Sequence, residues 1–227
     1  LLRSRFTEPD RQSTHMSDTT ATDGRVIGER ALQTRRRILE ATAALLREQG
    51  ALDVKAMDVA REVGTSPATF YQYFADVEDA IFALALELPE KVAPIQMQFE
   101  SDWSGPLGLD LARQAVSDYT DLWDENAAVL RVLLLRADER DERFRQVRRD
   151  YNAPFMTAMV AKVRIAQDAG KIADAIDAEA TAGAMLAALD RLPNYREGFE
   201  KRGTSREAMI ETVARLLYSS LTGEPFG

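Results

Sequence analysis

The 227-residue chain has no cysteine and a single histidine, His15. The first absence excludes disulfides and thiolate metal sites, and the second leaves any metal site to carboxylates alone. Long apolar runs are missing too. None approaches the roughly 18 residues that cross a bilayer, and the opening LLRSRFTEPDRQ lacks the apolar stretch of a signal peptide. No membrane association is expected, and a chain without cysteine suits a reducing cytoplasm. Positive charge is not in excess: 29 Lys and Arg face 37 Asp and Glu, a formal net charge of -8. That balance argues against indiscriminate nucleic-acid binding but leaves a local contact surface open. Strand patterns are absent as well, so the expected fold class is all-α.

What is present is helical periodicity punctuated by Gly and Pro. Residues 1–28 are polar and aperiodic and read as a disordered arm. Within it, His15 and Met16 suggest a native start at Met16 preceded by upstream or vector-derived residues, which would leave the histidine outside any mechanism. The alternative is a functional arm of the kind that enters the DNA minor groove. A first helix is predicted over 34–49, with Ile38, Leu39, Ala41, Leu45 and Leu46 at helical spacing and Gly50 as its stop. A second carries Met57, Val59, Ala60 and Val63 and closes at Gly64. Ser66 then caps a third helix, with Pro67 at its first position.

Further helices are predicted over 77–88, 107–123, 125–137, 141–168, 177–191 and 205–221. Joints are expected at Pro89 and Pro94, at Ser104, Gly105 and Pro106, at Gly170, at Pro193 and Asn194, and at Gly203. Pro154 falls inside a long pattern and should kink or split it. The run RADERDERFRQVRR, residues 136–149, alternates in sign and fits i,i+3 and i,i+4 pairing on a solvated helix better than a metal cluster or a basic patch. Catalysis finds no nucleophile–base pair, phosphate loop or metal-ligand spacing. The chain is expected to be no enzyme and to need no cofactor.

The stretch VGTSPATFYQYFADVEDAI, residues 63–81, joins two short helices through a three-residue turn and contains three acids and no base. Phe70 and Phe74, at i and i+4, can point inward while Tyr71 and Tyr73 occupy a flank. A helix-turn-helix needs a small residue at the turn and short polar side chains at the groove, and Gly64 and Ser66-Pro67-Ala68-Thr69 supply both. Spacing alone fits an ordinary helical hairpin equally well. The acids Asp76, Glu78 and Asp79 sit at its far end, where carboxylates favour the N-terminus of the next helix.

Residues 34–81 resemble the DNA-binding headpiece of the TetR family of transcriptional regulators. TRRRILEATAALLREQG resembles the first helix, MDVAREVGTSPATFYQYF the helix-turn-helix and ADVEDAI the start of the fourth helix. The resemblance implies an all-α homodimer, each subunit an N-terminal three-helix helix-turn-helix headpiece plus a larger helical ligand-binding and dimerisation domain. The corresponding boundaries are 29–76 and 77–227. It also implies a DNA surface of Thr65, Ser66, Pro67, Ala68, Thr69, Tyr71 and Tyr73, held by Arg35 and Arg36 of the cluster ending at Arg37 and by Lys55. Two departures stand out: Val77 occupies the position of the family's phosphate-binding Lys, and Lys55 that of its usual Thr cap.

In the larger domain, aromatics and methionines suggest either plain core or an adaptable apolar cavity. The resemblance favours a cavity, with Tyr119, Trp123, Phe155, Met159 and Met185 as walls and Asn152 as the polar contact. Few basic groups there look buried, so a lipophilic ligand is expected. Small residues Ala182, Gly183 and Ala187, with Val213, Leu216 and Leu217 on the last helix, are expected at a dimer interface. The function expected is a ligand-responsive repressor released from a palindromic double-stranded DNA operator. The alternative is a helix-turn-helix-fold protein acting through ligand or protein contacts without strong DNA binding. Residues 25–82 carry eight basic and nine acidic side chains, so DNA binding should rest on few phosphate contacts. The expected slope of log affinity against log salt is about -3 or shallower per subunit; titration from 50 to 200 mM salt measures it, and a markedly steeper slope contradicts this reading.

Overall fold

The computed structural model describes residues 28–49 and 53–225, so the expected arm over 1–27, with His15 and Met16, and the expected stop at Gly50 lie outside the described residues. Among the described residues there are nine helices and no strand. They are α1 (Glu29–Gln49), α2 (Ala56–Val63), α3 (Pro67–Tyr73), α4 (Val77–Ala85), α5 (Leu88–Glu100), α6 (Gly108–Asp138), α7 (Glu142–Asp168), α8 (Ala178–Glu200) and α9 (Arg206–Thr222). The chain forms two compact units that part between Ala83 and Leu84, inside α4, whereas the sequence suggested a division after residue 76.

In the first unit α2 packs on α1 and α3 on α2. Most apolar positions singled out by spacing are buried, Ile38, Leu39, Ala41, Leu45 and Leu46 on α1, Val59, Ala60 and Val63 on α2, and Phe70 on α3, but Met57 of α2 is exposed. Gly64 ends α2 in the left-handed region, φ 72°, a conformation that costs other residues about 1–2 kcal/mol. From that turn Gly64 N–H donates to the Arg61 carbonyl and Thr65 N–H to the Ala60 carbonyl, closing the helix end. Ser66 then caps α3 by accepting from Thr69 N–H at 3.2 Å.

In the second unit α6 packs against α5, α7, α8 and α9, and α7 against α5, α8 and α9. Asp141, Asp177 and Ser205 cap α7, α8 and α9, each accepting a first-turn backbone N–H. Its core is a chain of rings. Phe155 of α7 meets Phe99 of α5 edge-on with centroids 5.1 Å apart and Tyr119 of α6 at 5.7 Å, and Phe99 in turn meets Trp103 at 5.2 Å.

The structure corrects several boundaries read from sequence. α1 begins at Glu29 rather than 34, and α6 runs unbroken from Gly108 to Asp138 where two helices were expected. Prolines account for the rest. Pro89 opens α5 and Pro94 lies within it, Pro154 lies within a single α7, and Pro193 within α8, which continues to Glu200. Pro89, in the first turn, costs no helical hydrogen bond, whereas each of the three interior prolines removes one, yet burial of neighbours such as Val92, Phe99, Phe155 and Leu189 outweighs a propensity cost of about 3 kcal/mol. The charge run pairs as read in part, with Arg136 to Glu139 at 2.7 Å and Arg145 to Glu142 at 3.1 Å, both i,i+3, but it spans the turn between α6 and α7, and Arg148 of α7 reaches Asp138 of α6 at 2.6 Å.

Gly108 begins α6 against the backbone of Trp103: a methyl there would lie 1.9 Å from the Trp103 carbonyl oxygen and 2.8 Å from the Tyr218 ring. Gly108→Ala is therefore expected to destabilise this unit by about 2 kcal/mol or more and to lower its melting temperature by roughly 5 °C. Calorimetry checks this, and an unchanged melting temperature contradicts the contact.

Candidate nucleic-acid interface and a cleft in the helical unit

The headpiece presents α3 with its aromatic pair divided. Phe70 and Phe74 are buried, their ring centroids 5.8 Å apart, whereas Tyr71 is 54% exposed and meets Phe70 edge-on at 5.5 Å. Ser66, Pro67 and Ala68 are exposed, and Thr65, Thr69 and Tyr73 are partly so. These seven residues thus share one short helix and the turn before it. Gln72, which the spacing argument passed over between two tyrosines, is exposed on the same helix.

The basic residues of α1 hold the headpiece together. Arg35 lies over the Phe74 ring at 5.1 Å, Arg36 pairs with Glu40 at 3.1 Å, and Arg37 Nη2 donates to the Val63 carbonyl at 2.6 Å, covering the end of α2. Lys55 is exposed at the N-cap position of α2 and makes no side-chain capping bond. At the start of α4 the acids have a local role. Asp79 N–H donates to Asp76 Oδ1 at 2.8 Å and Ala75 N–H to Asp79 Oδ2 at 3.2 Å, a reciprocal capping arrangement. Val77, the first residue of α4, is half-buried.

The helical unit contains a cleft of about 660 Å³ between the end of α5, the second half of α7 and the end of α9. That is within the range of small-molecule sites. Trp103, Ala158, Ala161 and Ile165 supply apolar wall, and Ile165 is 64% exposed. Lys162 enters from the same wall: its ammonium donates to the Ser101 carbonyl and stands 4.7 Å over the Trp103 ring. Burial pulls this ammonium down to about 8, an effect that the Asp102 charge only partly opposes.

Behind the cleft lies a buried polar group. Tyr119 of α6 donates its hydroxyl hydrogen to Asp190 of α8, and both are buried. Burial pushes the Asp190 carboxyl up to about 6, against the downward pull of the Tyr119 hydrogen bond and the Arg191 and Arg148 charges. Trp123 Nε1 and Asn152 Oδ1 are buried without a hydrogen-bond partner among the described residues.

Comparison with known proteins decides the family. A profile for bacterial regulatory proteins of the tetR family matches residues 38–84, and one for the tetracyclin repressor-like C-terminal domain matches residues 96–226, more than half of the chain. The chain belongs to the TetR family of transcriptional regulators. Its headpiece is accordingly that family's DNA-binding helix-turn-helix, and regulators of the TetR family are non-enzymatic.

Three solved TetR-like folds illustrate the similarity. The fatty acid degradation regulator FadR from Bacillus halodurans is 17% identical with a TM-score of 0.62, covering 86% of this chain and 97% of its own. Salmonella enterica GusR is 22% identical with a TM-score of 0.59, covering 84% and 96%. A TetR-family regulator from Marinobacter aquaeolei VT8 is 19% identical with a TM-score of 0.62, covering 83% and 91%. At such identities the likeness carries the fold alone. No curated protein sequence matches the chain, and among the described residues no helix is long and apolar enough to cross a membrane.

Within this TetR-family fold four of the six residues expected around a ligand lie deep in the helical unit. Tyr119, Trp123, Phe155 and Met159 are at most 1% exposed, Asn152 and Met185 are half-buried, and none of the six lines the 660 Å³ cleft. Sequence periodicity could not separate wall from core, since both are apolar and helical. Lys162 escaped notice because its stem lies in an otherwise unremarkable alternation of Ala, Val and Arg. The residues expected at the dimer interface divide. Ala182, Val213 and Leu217 are buried within the chain, while Gly183, Ala187 and Leu216 retain exposed surface.

Asp190 generates a pH prediction. Its unfolded carboxyl titrates near 3.8 and its folded one near 6, so its contribution to stability is full below 3.8 and is lost as pH rises through about 6. Asp190→Asn keeps an acceptor for Tyr119 and removes the buried charge. The variant is expected to gain on the wild type by up to roughly 3 kcal/mol between pH 4 and 7. Urea unfolding across that range measures the difference, and a difference independent of pH contradicts a buried, uphill-titrating Asp190.

Proposed function

We propose that the protein is a homodimeric, ligand-responsive repressor acting in the cytoplasm on a palindromic operator. The observation that carries the DNA part is the short, neutral, exposed start of α3, with Ser66, Pro67, Ala68 and Tyr71 at the surface above buried Phe70 and Phe74. Side chains of this size let a helix start approach base edges, and the phenols of Tyr71 and Tyr73 can donate to phosphates. Backbone N–H groups at the helix start, Lys55 and the remaining charge of Arg35 and Arg36 assist in holding the duplex.

The response would arise from a lipophilic small molecule bound in the helical unit. A ligand in the α5–α7 cleft would touch Trp103, and through Phe99 and Phe155 its occupancy would bear on Tyr119 and the aromatic set expected from sequence. Release requires that the ligand prefer a subunit arrangement whose two recognition helices are wrongly spaced for successive major grooves, about 34 Å apart. Dimerisation through α8 and α9 would use the exposed Ala187 and Leu216 with Gly183. The exposed hydrophobic Leu216, 41% accessible, favours this face.

Gel shift and footprinting on the DNA flanking the gene test the reading, with a protected inverted repeat as the expected result. Tyr71→Ala and Tyr73→Ala are each expected to weaken that binding about tenfold or more while the dimer, followed by sedimentation, is unchanged. No protected repeat at low salt with a folded dimer would favour a role without strong DNA binding. Unchanged affinity in either variant would remove that tyrosine from the interface.

A further inference from the structure

We propose that the cleft between α5, α7 and the end of α9 binds a small amphipathic carboxylate, its acid group on the Lys162 ammonium and its apolar body against Trp103 and the Ala161–Ile165 face of α7. The proposal rests on the ligand-responsive reading above and specifies the chemistry of the ligand.

Lys162 is the reason. An ammonium has three hydrogens to place, and this one gives a hydrogen bond to the Ser101 carbonyl and faces the Trp103 ring. Among the described residues no carboxylate pairs with it within 4.0 Å. Of the other charges of the cleft, Asp102 acts on this ammonium only from beyond contact distance, and the rest are committed or open to solvent. Lys171 pairs with Glu224 at 2.6 Å, Asp102 accepts from Ser104 N–H at 2.8 Å, and Glu100 is exposed. A half-buried cation with no carboxylate in contact is costly, and an incoming carboxylate would add to the partial offset that the more distant Asp102 charge provides. The lowered Lys162 pKa, near 8, has the same origin and leaves the group mostly protonated at neutral pH.

The rest of the wall selects an apolar body. Thr157, Ala161, Ile165 and Ala169 follow at intervals of four along α7, a stripe of small or aliphatic side chains on the cleft side. Ile165 stays 64% exposed there, so a ligand covering it would bury surface that the protomer leaves in water. A carboxylate lacking such a body would meet Lys162 but gain little from the wall, and a neutral apolar molecule would leave the cation unpaired.

The test is titration calorimetry of the full chain with octanoate, octanol and octylamine, which share a tail and differ in head group. The wild type is expected to bind octanoate about tenfold tighter than octanol, as a charge-assisted hydrogen bond implies. Lys162→Met should abolish that preference while retaining the stem, and Lys162→Arg should keep it. Equal binding of octanoate and octanol, preference for octylamine, a preference that survives in folded Lys162→Met, or binding of none of the three overturns the proposal. If Lys162→Met loses its helical circular dichroism, the wild-type comparison and Lys162→Arg decide. DNA release, measured separately on the footprinted repeat, separates the two readings. Octanoate that binds through Lys162 without releasing DNA overturns the ligand response and leaves this site standing. Release by octanol and octanoate alike supports the response and overturns the carboxylate.

Discussion

Phe155 is the contact on which the helical unit depends. Fully buried at the middle of α7, it meets Phe99 of α5 and Tyr119 of α6 edge-on, and each such pair is worth about 0.5–1.5 kcal/mol beyond the area it buries. Through Phe99 it backs Trp103, whose ring is both cleft wall and the surface over which Lys162 stands. Through Tyr119 it reaches Asp190 on α8. One side chain thus ties the apolar core to the cleft on one side and to a buried acid on the other. Four helices share its rigidity.

The headpiece solves a different problem, that of presenting a DNA surface with almost no net charge. Its arginines have partners within the headpiece: Arg35 on Phe74, Arg37 on the last carbonyl of α2, and Arg36 with Glu40 on the surface of α1. Its acids are engaged as well, Asp76 and Asp79 capping α4. Neutrality of the α3 start is then compatible with recognition because the groove-facing side chains are short and the backbone donors of a capped helix lie at the surface. The arginine cluster thus also braces the headpiece, through Arg35 on Phe74 and Arg37 on the end of α2.

Local chemistry made much of this legible. Gly64, Ser66 and Pro67 specify a turn and a capped helix by rules confined to a few residues, and the apolar spacing of α1 and α2 names their buried faces. The prolines misled because their cost is local while the burial that offsets it comes from other helices. Pro94 and Pro193 each read as a break and each lies within a helix, and Pro154, read as a kink or a split, lies within the single α7. The same limit applied to the ligand and dimer sets. Ala182 and Ala187 are equivalent in a sequence pattern, yet one is buried in its own protomer and the other exposed.

The sequence by itself determined the all-α class, the turn between two short helices and the inward phenylalanines, since these follow from periodicity, capping and turn residues close together in the chain; the DNA-binding reading of that hairpin came from its resemblance to the TetR family. Tertiary structure alone decided which apolar residues became core and which became wall, and that Lys162 would stand half-buried over Trp103, 59 residues earlier, without a carboxylate beside it. Those outcomes depend on which helices meet and on the solvent they exclude, and neither is written in the spacing of any one segment.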